Sequence, residues 1–342
     1  MRTPGENLPL TSIRGVAAAW VVAYHVQPLW FPRASGAVAP GLLIGHTAVD
    51  IFFVLSGFIL AQVYGVMRAG QVPMFWLRRI CRIYPLHLAV MATVPLAILM
   101  ASALRGAAHT SDWISFGVVT LLLQSFLLDD SPWNPPSWSL GVEVLCYAIF
   151  PLTIRLLACV PGRLIAGVAV ALALAEAAVL REYGGAGTGS CAILRGLVGF
   201  HLGAVLCLLL PHLPKQAAPV AALAGCGGVV CAIGAASPAA VVLAAAVTIV
   251  SLAPQRGLVA RTLSWGALVW LGRVSFSIYL LHAPVLFVLN RTLSPLISPW
   301  VLTALFIAVL FPLSEATYRY VEQPGRQLPA LIQRARRRSA VP

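Results

Sequence analysis

The chain has 342 residues, 60% of them hydrophobic and only 10% charged, with a formal net charge of +13. Soluble domains carry roughly 25% charged residues, so this composition excludes a water-soluble globular protein and requires lipid as solvent for most of the surface. The basic balance does not indicate nucleic acid. The only lysine is Lys215, no basic stripe is interleaved with aromatics, and arginine-rich loops are what the positive-inside rule gives a membrane protein.

In chain order, apolar runs bounded by Gly, Pro or charge predict helices over 10–29, 45–67, 84–104, 138–158, 164–181, 191–211, 217–233, 238–253, 266–290 and 298–320. Most approach the ~20 residues that cross a bilayer. The expected fold is an all-α polytopic membrane protein with about ten transmembrane helices. The first run, Leu10 to Pro28, is not followed by a small-residue cleavage site and is expected to stay in the mature protein. With both termini in the cytoplasm, the inner flanks collect Arg2, Arg68, Arg78, Arg79, Arg82, Arg155, Arg163, Lys215, Arg256, Arg261 and the arginine-rich tail. The outer flanks hold only Arg33, Arg105, Arg181 and Arg291.

A shorter run, 113–128, follows Asp112 and precedes Asp129, Asp130 and Pro132. Counting it as a crossing inverts the charge bias of everything after it. It therefore reads as a re-entrant segment from the outer side, of the kind tolerated where protein or water surrounds the backbone. The seven cysteines form no C-x-x-C pair or zinc spacing and read as small buried residues; no metal is expected. No internal repeat of the kind found in many transporters is visible.

Ionisable side chains inside spans cost about 2.5–3.5 kcal/mol each on insertion scales and mark function. Arg14 and His25 are eleven residues apart, which returns to the same helix face within about 20° at a rise of ~16 Å. They can form one wall of a pore, with His25 suited to take a proton near neutral pH. The plainer alternative is an interfacial histidine bonded to a carbonyl. His46 and Asp50 are i,i+4 neighbours, and Asp50 can orient an imidazole or simply favour a helix N-terminus. Both are expected at the depth of His25.

Ser139 and Glu143 also share a face, behind Trp138 and a natural N-cap in Ser137. Glu143 again falls in the outer third, and no nearby Lys or Arg in sequence pairs it. Arg78, Arg79 and Arg82 form a cytoplasmic cluster that can hold phosphates through guanidinium forks or serve only as a positive-inside anchor. Ser277, Tyr279, His282, Arg319 and Glu322 complete the set.

Six stretches carry a resemblance over nearly the whole chain: Arg14-x10-His25; Val49 to Phe58, which includes Ser56; Arg79-x-x-Arg82-Ile83-Tyr84-Pro85; Trp138-Ser139-Leu140-x-x-Glu143; Phe276 to Pro284; and Glu322-x-Pro324. Together and in this order they resemble the acyltransferase-3 family of integral membrane acyltransferases, which includes O-antigen and exopolysaccharide O-acetylases. The chain is expected to act without the fused extracytoplasmic hydrolase-like domain of some members. Residues 1–325 would be the membrane acyltransferase domain and 326–342 a basic cytoplasmic tail, able to touch anionic lipid.

The resemblance implies O-acyl transfer from cytoplasmic acyl-CoA, acetyl or else succinyl, as co-substrate. No cofactor would be permanently bound. The acceptor would be a hydroxyl of a glycan, lipid-linked sugar or small molecule at the bacterial cytoplasmic membrane. By this carry-over Arg14, Arg78, Arg79 and Arg82 hold the donor, and His25 is the general base with Asp50 and Glu143 beside it. His46, Ser56, Trp138, Ser139, Tyr279 and His282 face the pore or substrate. Direct attack suits these residues, and an acyl-enzyme through His25 or a serine stays open. The rival reading is a proton-coupled transporter. Nothing in the sequence speaks to oligomeric state.

Overall fold

The structure, a computed structural model, describes residues 6–30, 40–65, 67–105, 113–184, 189–294 and 296–339. Arg2, Arg33 and Asp112 lie outside them. Each of the ten apolar runs is a helix. In chain order the helices are α1 (Leu8–Val26), α2 (Pro40–Leu43), α3 (Ala48–Tyr64), α4 (Val72–Arg105), α5 (Trp113–Thr120), α6 (Gln124–Leu127), α7 (Trp138–Ala158) and α8 (Gly162–Tyr183). They continue as α9 (Gly189–Leu209), α10 (Ala218–Gly234), α11 (Pro238–Leu252), α12 (Gly257–Leu263), α13 (Gly266–Leu293), α14 (Pro299–Thr317) and α15 (Gln323–Ser339). No strand occurs among the described residues.

Among the described residues, seven helices are long and apolar enough to cross a membrane, or eight when α11 and α12, bent 94° to each other, count as one broken span. The expected ten is therefore not reached on that measure. The shortfall is α10, with 17 residues, and α1, which carries Arg14 and His25. Helix α1 packs against α3, α12 and α13 in the protein interior. A helix surrounded by other helices need not be apolar all round. Helix α4 starts twelve residues before the run that predicted it, so Arg78, Arg79 and Arg82 lie on a helix rather than a loop.

The stretch 113–128 does not cross. It folds as α5, a sharp turn with Leu122 at φ 61°, and the four-residue α6. Eight residues of helix span only ~12 Å, far short of a ~30 Å hydrocarbon core. The turn is seated against neighbours. The His87 ring bonds the carbonyls of Val119 and Thr120 at 3.1 and 3.2 Å, and Ser125 donates to the Trp138 carbonyl at 2.9 Å.

Two backbone-to-backbone crossings set the centre of the bundle. A Cβ on Gly57 of α3 would lie 1.8 Å from the carbonyl oxygen of Phe200 on α9. One on Gly203 of α9 would lie 1.8 Å from that of Val54. Gly199 and Gly203 form the small-xxx-small spacing that brings membrane helices together without a hydrophobic driving force. Gly15 of α1 and Gly272 of α13 meet in the same way. Helix α3 is accordingly the most enclosed: 67% of its apolar stretch is buried inside the protein, against 28% for the peripheral α8.

Replacing Gly57 or Gly203 by Ala is expected to destabilise the protein by about 3 kcal/mol or more, the upper end for overpacking, because rigid backbone is in the way. Thermal unfolding in detergent measures this. Gly167→Ala, where nothing lies within 4 Å of the added methyl, should leave the transition unchanged.

Candidate active site

Two adjoining cavities lie inside the bundle. The first, about 130 Å³, is lined by Arg14 of α1, Ser56 of α3, Arg79 and Arg82 of α4, Ser139, Glu143 and Tyr147 of α7, and Tyr279 of α13. Each cavity arginine is held in place. The Arg79 guanidinium lies 5.7 Å from the Tyr147 ring and 6.0 Å from Phe75, and that of Arg82 lies 4.7 Å from Phe276, in cation–π range. Arg82 also pairs with Glu322, which is 1% exposed. The same carboxylate accepts from Arg326 and, at 3.1 Å, from Ser277. Glu322 closes a π-helical turn, Tyr318–Glu322, between α14 and α15, a distortion frequent at functional sites. Nε of Arg14 and of Arg79 are buried without a hydrogen-bond partner, leaving two donors for an anion or oxyanion.

Glu143 lines this cavity and not the one that His25 lines. Its Oε1 accepts from Ser56 Oγ at 2.9 Å and from the Tyr147 hydroxyl. Its partners come from another helix and from the next turn of its own, which a search for a nearby Lys or Arg does not find. Ser139 shares the predicted face but bonds Tyr279. Arg78 does not join the other arginines: it is exposed on α4, with Nη1 3.4 Å from the Tyr64 hydroxyl. Ser137 precedes α7 but does not cap it. Its hydroxyl donates to the Asn134 carbonyl at 2.7 Å and accepts from Gln124 at 3.1 Å.

The second cavity, about 330 Å³, is lined by Tyr24, His25, His46, Asp129, Asp130, Trp138, Arg195 and Tyr279, and is roofed by 129–136. Val49 and Tyr279 line both cavities. The Tyr279 hydroxyl donates to the Pro136 carbonyl at 2.9 Å and shares a 2.8 Å bond with Ser139, forming the partition between them. His25 Nδ1 bonds the Val21 carbonyl at 2.9 Å, which leaves Nε2 as the basic nitrogen. Its ring centroid is 4.8 Å from that of His282, whose Nδ1 bonds the Tyr279 carbonyl at 2.6 Å. Both the carbonyl-bonded and the pore-lining readings of His25 therefore apply to it at once. Arg14 lines the first cavity, and His25, on the same helix, lines the second and a further cavity of about 400 Å³ with Trp133, Pro135 and Phe287.

Asp50 does not orient an imidazole. It is fully buried in the first turn of α3 and forms a two-bond pair with Arg195 of α9, 3.1 Å from Nε and 2.7 Å from Nη2. His46 sits on a 3₁₀ turn before the helix and faces Tyr24 instead. Arg195, missed in the sequence reading, stacks 5.7 Å over Trp138 and carries its guanidinium to the second cavity. Glu176 of α8 was also missed. It is fully buried, its carboxylate has no hydrogen-bond partner, and it lies beside Gly199. The signal for both was a lone charge in an apolar run, which is costly in a membrane. Among the described residues no cluster of His, Cys, Asp and Glu is placed to hold a metal.

The described residues form a helical bundle of membrane-spanning character, with charged side chains lining cavities on both sides of Tyr279. The family model described as "Acyltransferase domain" matches residues 9–319, and the chain belongs to this acyltransferase-3 family. Acyltransferase MdmB of Streptomyces mycarofaciens is 38% identical over 176 residues, covering 48% of this chain and 44% of that protein. Peptidoglycan O-acetyltransferase OatA of Listeria monocytogenes is 25% identical over 361 residues, covering 93% of this chain and 55% of that protein. The chain spans about half the length of these curated relatives. No solved structure matches. Membership sets aside the proton-coupled carrier.

Asp50→Ala or Arg195→Ala alone is expected to cost about 3–5 kcal/mol, because each strands a buried charge. The double variant Asp50→Leu with Arg195→Met should recover most of that loss. Thermal unfolding of the three proteins in detergent reads the difference.

Proposed function

We propose that this protein transfers an acyl group from a cytoplasmic acyl-CoA to a hydroxyl of a glycan or other polyhydroxyl acceptor at the outer side of a bacterial cytoplasmic membrane. The observation that carries the reading is the pair of adjoining cavities, one lined by Arg14 and the other by His25, on a single helix. Arg78, Arg155 and Arg326 lie at the end of the bundle that holds the arginine cavity. Arg155 bonds the Met67 carbonyl at the far end of α3, and Arg326 shares Glu322 with Arg82. The positive-inside rule turns that end to the cytoplasm, which is where acyl-CoA is available.

At about 130 Å³ the arginine cavity is smaller than the ~300 Å³ at which drug-sized sites begin. It suits the acyl-thioester end of the donor, with the nucleotide remaining toward the cytoplasm near Arg78. The acceptor occupies the second cavity. His25 Nε2 takes the proton of its hydroxyl, a step worth about 10²–10⁴ in rate. His282 lies beside it, with the two ring centroids 4.8 Å apart, and can contact the same acceptor. Asp129 and Asp130 at the rim accept hydrogen bonds from further acceptor hydroxyls.

His25→Ala is expected to lower acyl transfer by about 10²–10⁴-fold, while the purified variant still gains thermal stability from acetyl-CoA. Full activity in that variant would refute the role of His25. Glu322→Gln removes the counter-charge that aims Arg82 and should raise the donor KM about tenfold, the equivalent of ~1.4 kcal/mol, with kcat changed less. Steady-state kinetics on membranes with varied acetyl-CoA separates the two parameters.

A further inference from the structure

We propose that Ser56 is a nucleophile that carries the acyl group as an ester between the two cavities. The inference rests on the acyl-transfer reading above and adds a covalent step to it. Ser56 Oγ donates to Glu143 Oε1 at 2.9 Å within the arginine cavity, and Tyr147 donates to the same oxygen and fixes its direction. A hydroxyl in reach of a base, with the base oriented by a third group, is the arrangement that activates a serine. Arg14 and Arg79 line the same cavity, and their guanidinium groups can supply donors for an oxyanion.

The partition gives the second line of support. Among the described residues no histidine lines the arginine cavity, and His25 opens on the other side of Tyr279. Direct attack by a hydroxyl activated at His25 would require the whole thioester to pass the Tyr279–Ser139 bond. An acyl group on Ser56 stays in the first cavity after the donor has left, so that only the acyl carbonyl, and not the whole thioester, has to meet the acceptor across Tyr279.

In the first half-reaction Ser56 Oγ attacks the thioester carbonyl carbon and its proton passes to Glu143. The C–S bond breaks, and CoA leaves as the thiolate toward the cytoplasm. In the second, the acceptor hydroxyl gives its proton to His25 and attacks the Ser56 ester. The C–Oγ bond breaks, and Oγ recovers its proton from Glu143. The net result is one acyl ester, one thiolate and one proton on His25, which is released on the acceptor side.

The test uses the full chain in detergent with acetyl-CoA labelled in the acetyl group, acid-quenched without acceptor. The protein should carry label on the peptide containing Ser56, stable to neutral hydroxylamine and removed by alkaline hydroxylamine. Ser56→Ala should take no label and lose transfer by about a thousandfold or more. Ser56→Cys should take label that neutral hydroxylamine removes, the signature of a thioester. His25→Ala should accept label and fail to pass it on. Transfer by Ser56→Ala within about tenfold of wild type would overturn the proposal. So would unlabelled His25→Ala that acetyl-CoA still stabilises. A wild-type chain that acetyl-CoA neither stabilises nor labels would instead overturn the donor reading, and the covalent step with it.

Discussion

An ionisable side chain inside a bilayer must meet a partner or a polar cavity, and the interior of this bundle is arranged around that requirement. Asp50 and Arg195 tie α3 to α9; Glu322 ties α4, α13 and α15; Glu6 and Arg273 tie the chain before α1 to α13 with a 2.8 Å bond. Each pair lies between helices whose backbones are already close. Other ionisable groups face cavities: Arg14 and Arg79 the first, His25 and His46 the second; Glu176, buried without a partner, is the exception. The buried charges therefore mark both the joints of the bundle and its chemistry.

The glycine crossings make this arrangement possible. Because α3 approaches α9 at Gly57 and Gly203, and α1 approaches α13 at Gly15 and Gly272, these four helices form a compact centre. Short side chains such as Ser56 and Asp50 can then reach partners on neighbouring helices. The peripheral helices α8, α10 and α14 present apolar faces outward, with Val170, Leu174, Val220, Val230, Trp300 and Ile307 exposed. Lipid is their solvent. Tyr279 sits where the two halves of the interior meet and divides it by hydrogen bonds to Ser139 and Pro136.

Much of the site was legible in the residues themselves. The eleven-residue interval from Arg14 to His25 does place them on one helix, and the shared face of Ser139 and Glu143 is real. The cost of charge in lipid made His282 stand out, and the forked chemistry of clustered arginines marked Arg79 and Arg82. Partnership was not legible. Asp50 was matched to a histidine because both lay at similar depth, but the pairing goes to Arg195, 145 residues away in sequence. Glu143 was set beside His25 by counting from the start of α7. The actual start of that helix lies well inside the bundle, behind the turn at Leu122, whose carbonyl oxygen a Cβ on Gly141 would approach to 2.5 Å.

The sequence by itself determined the solvent, the helical class and the family. Mean composition, apolar run length and motif order each depend on local chemistry that survives any arrangement of helices. It also determined that 113–128 would not cross, because a charge bias sums over the whole chain. Only the tertiary structure decided that Arg14 and His25 line different cavities, that Tyr279 lies between these two, and that Glu143 bonds Ser56. Those outcomes depend on which helix faces meet and at what height. That is fixed by glycine contacts and buried ion pairs between residues far apart in the chain, and no local pattern encodes it.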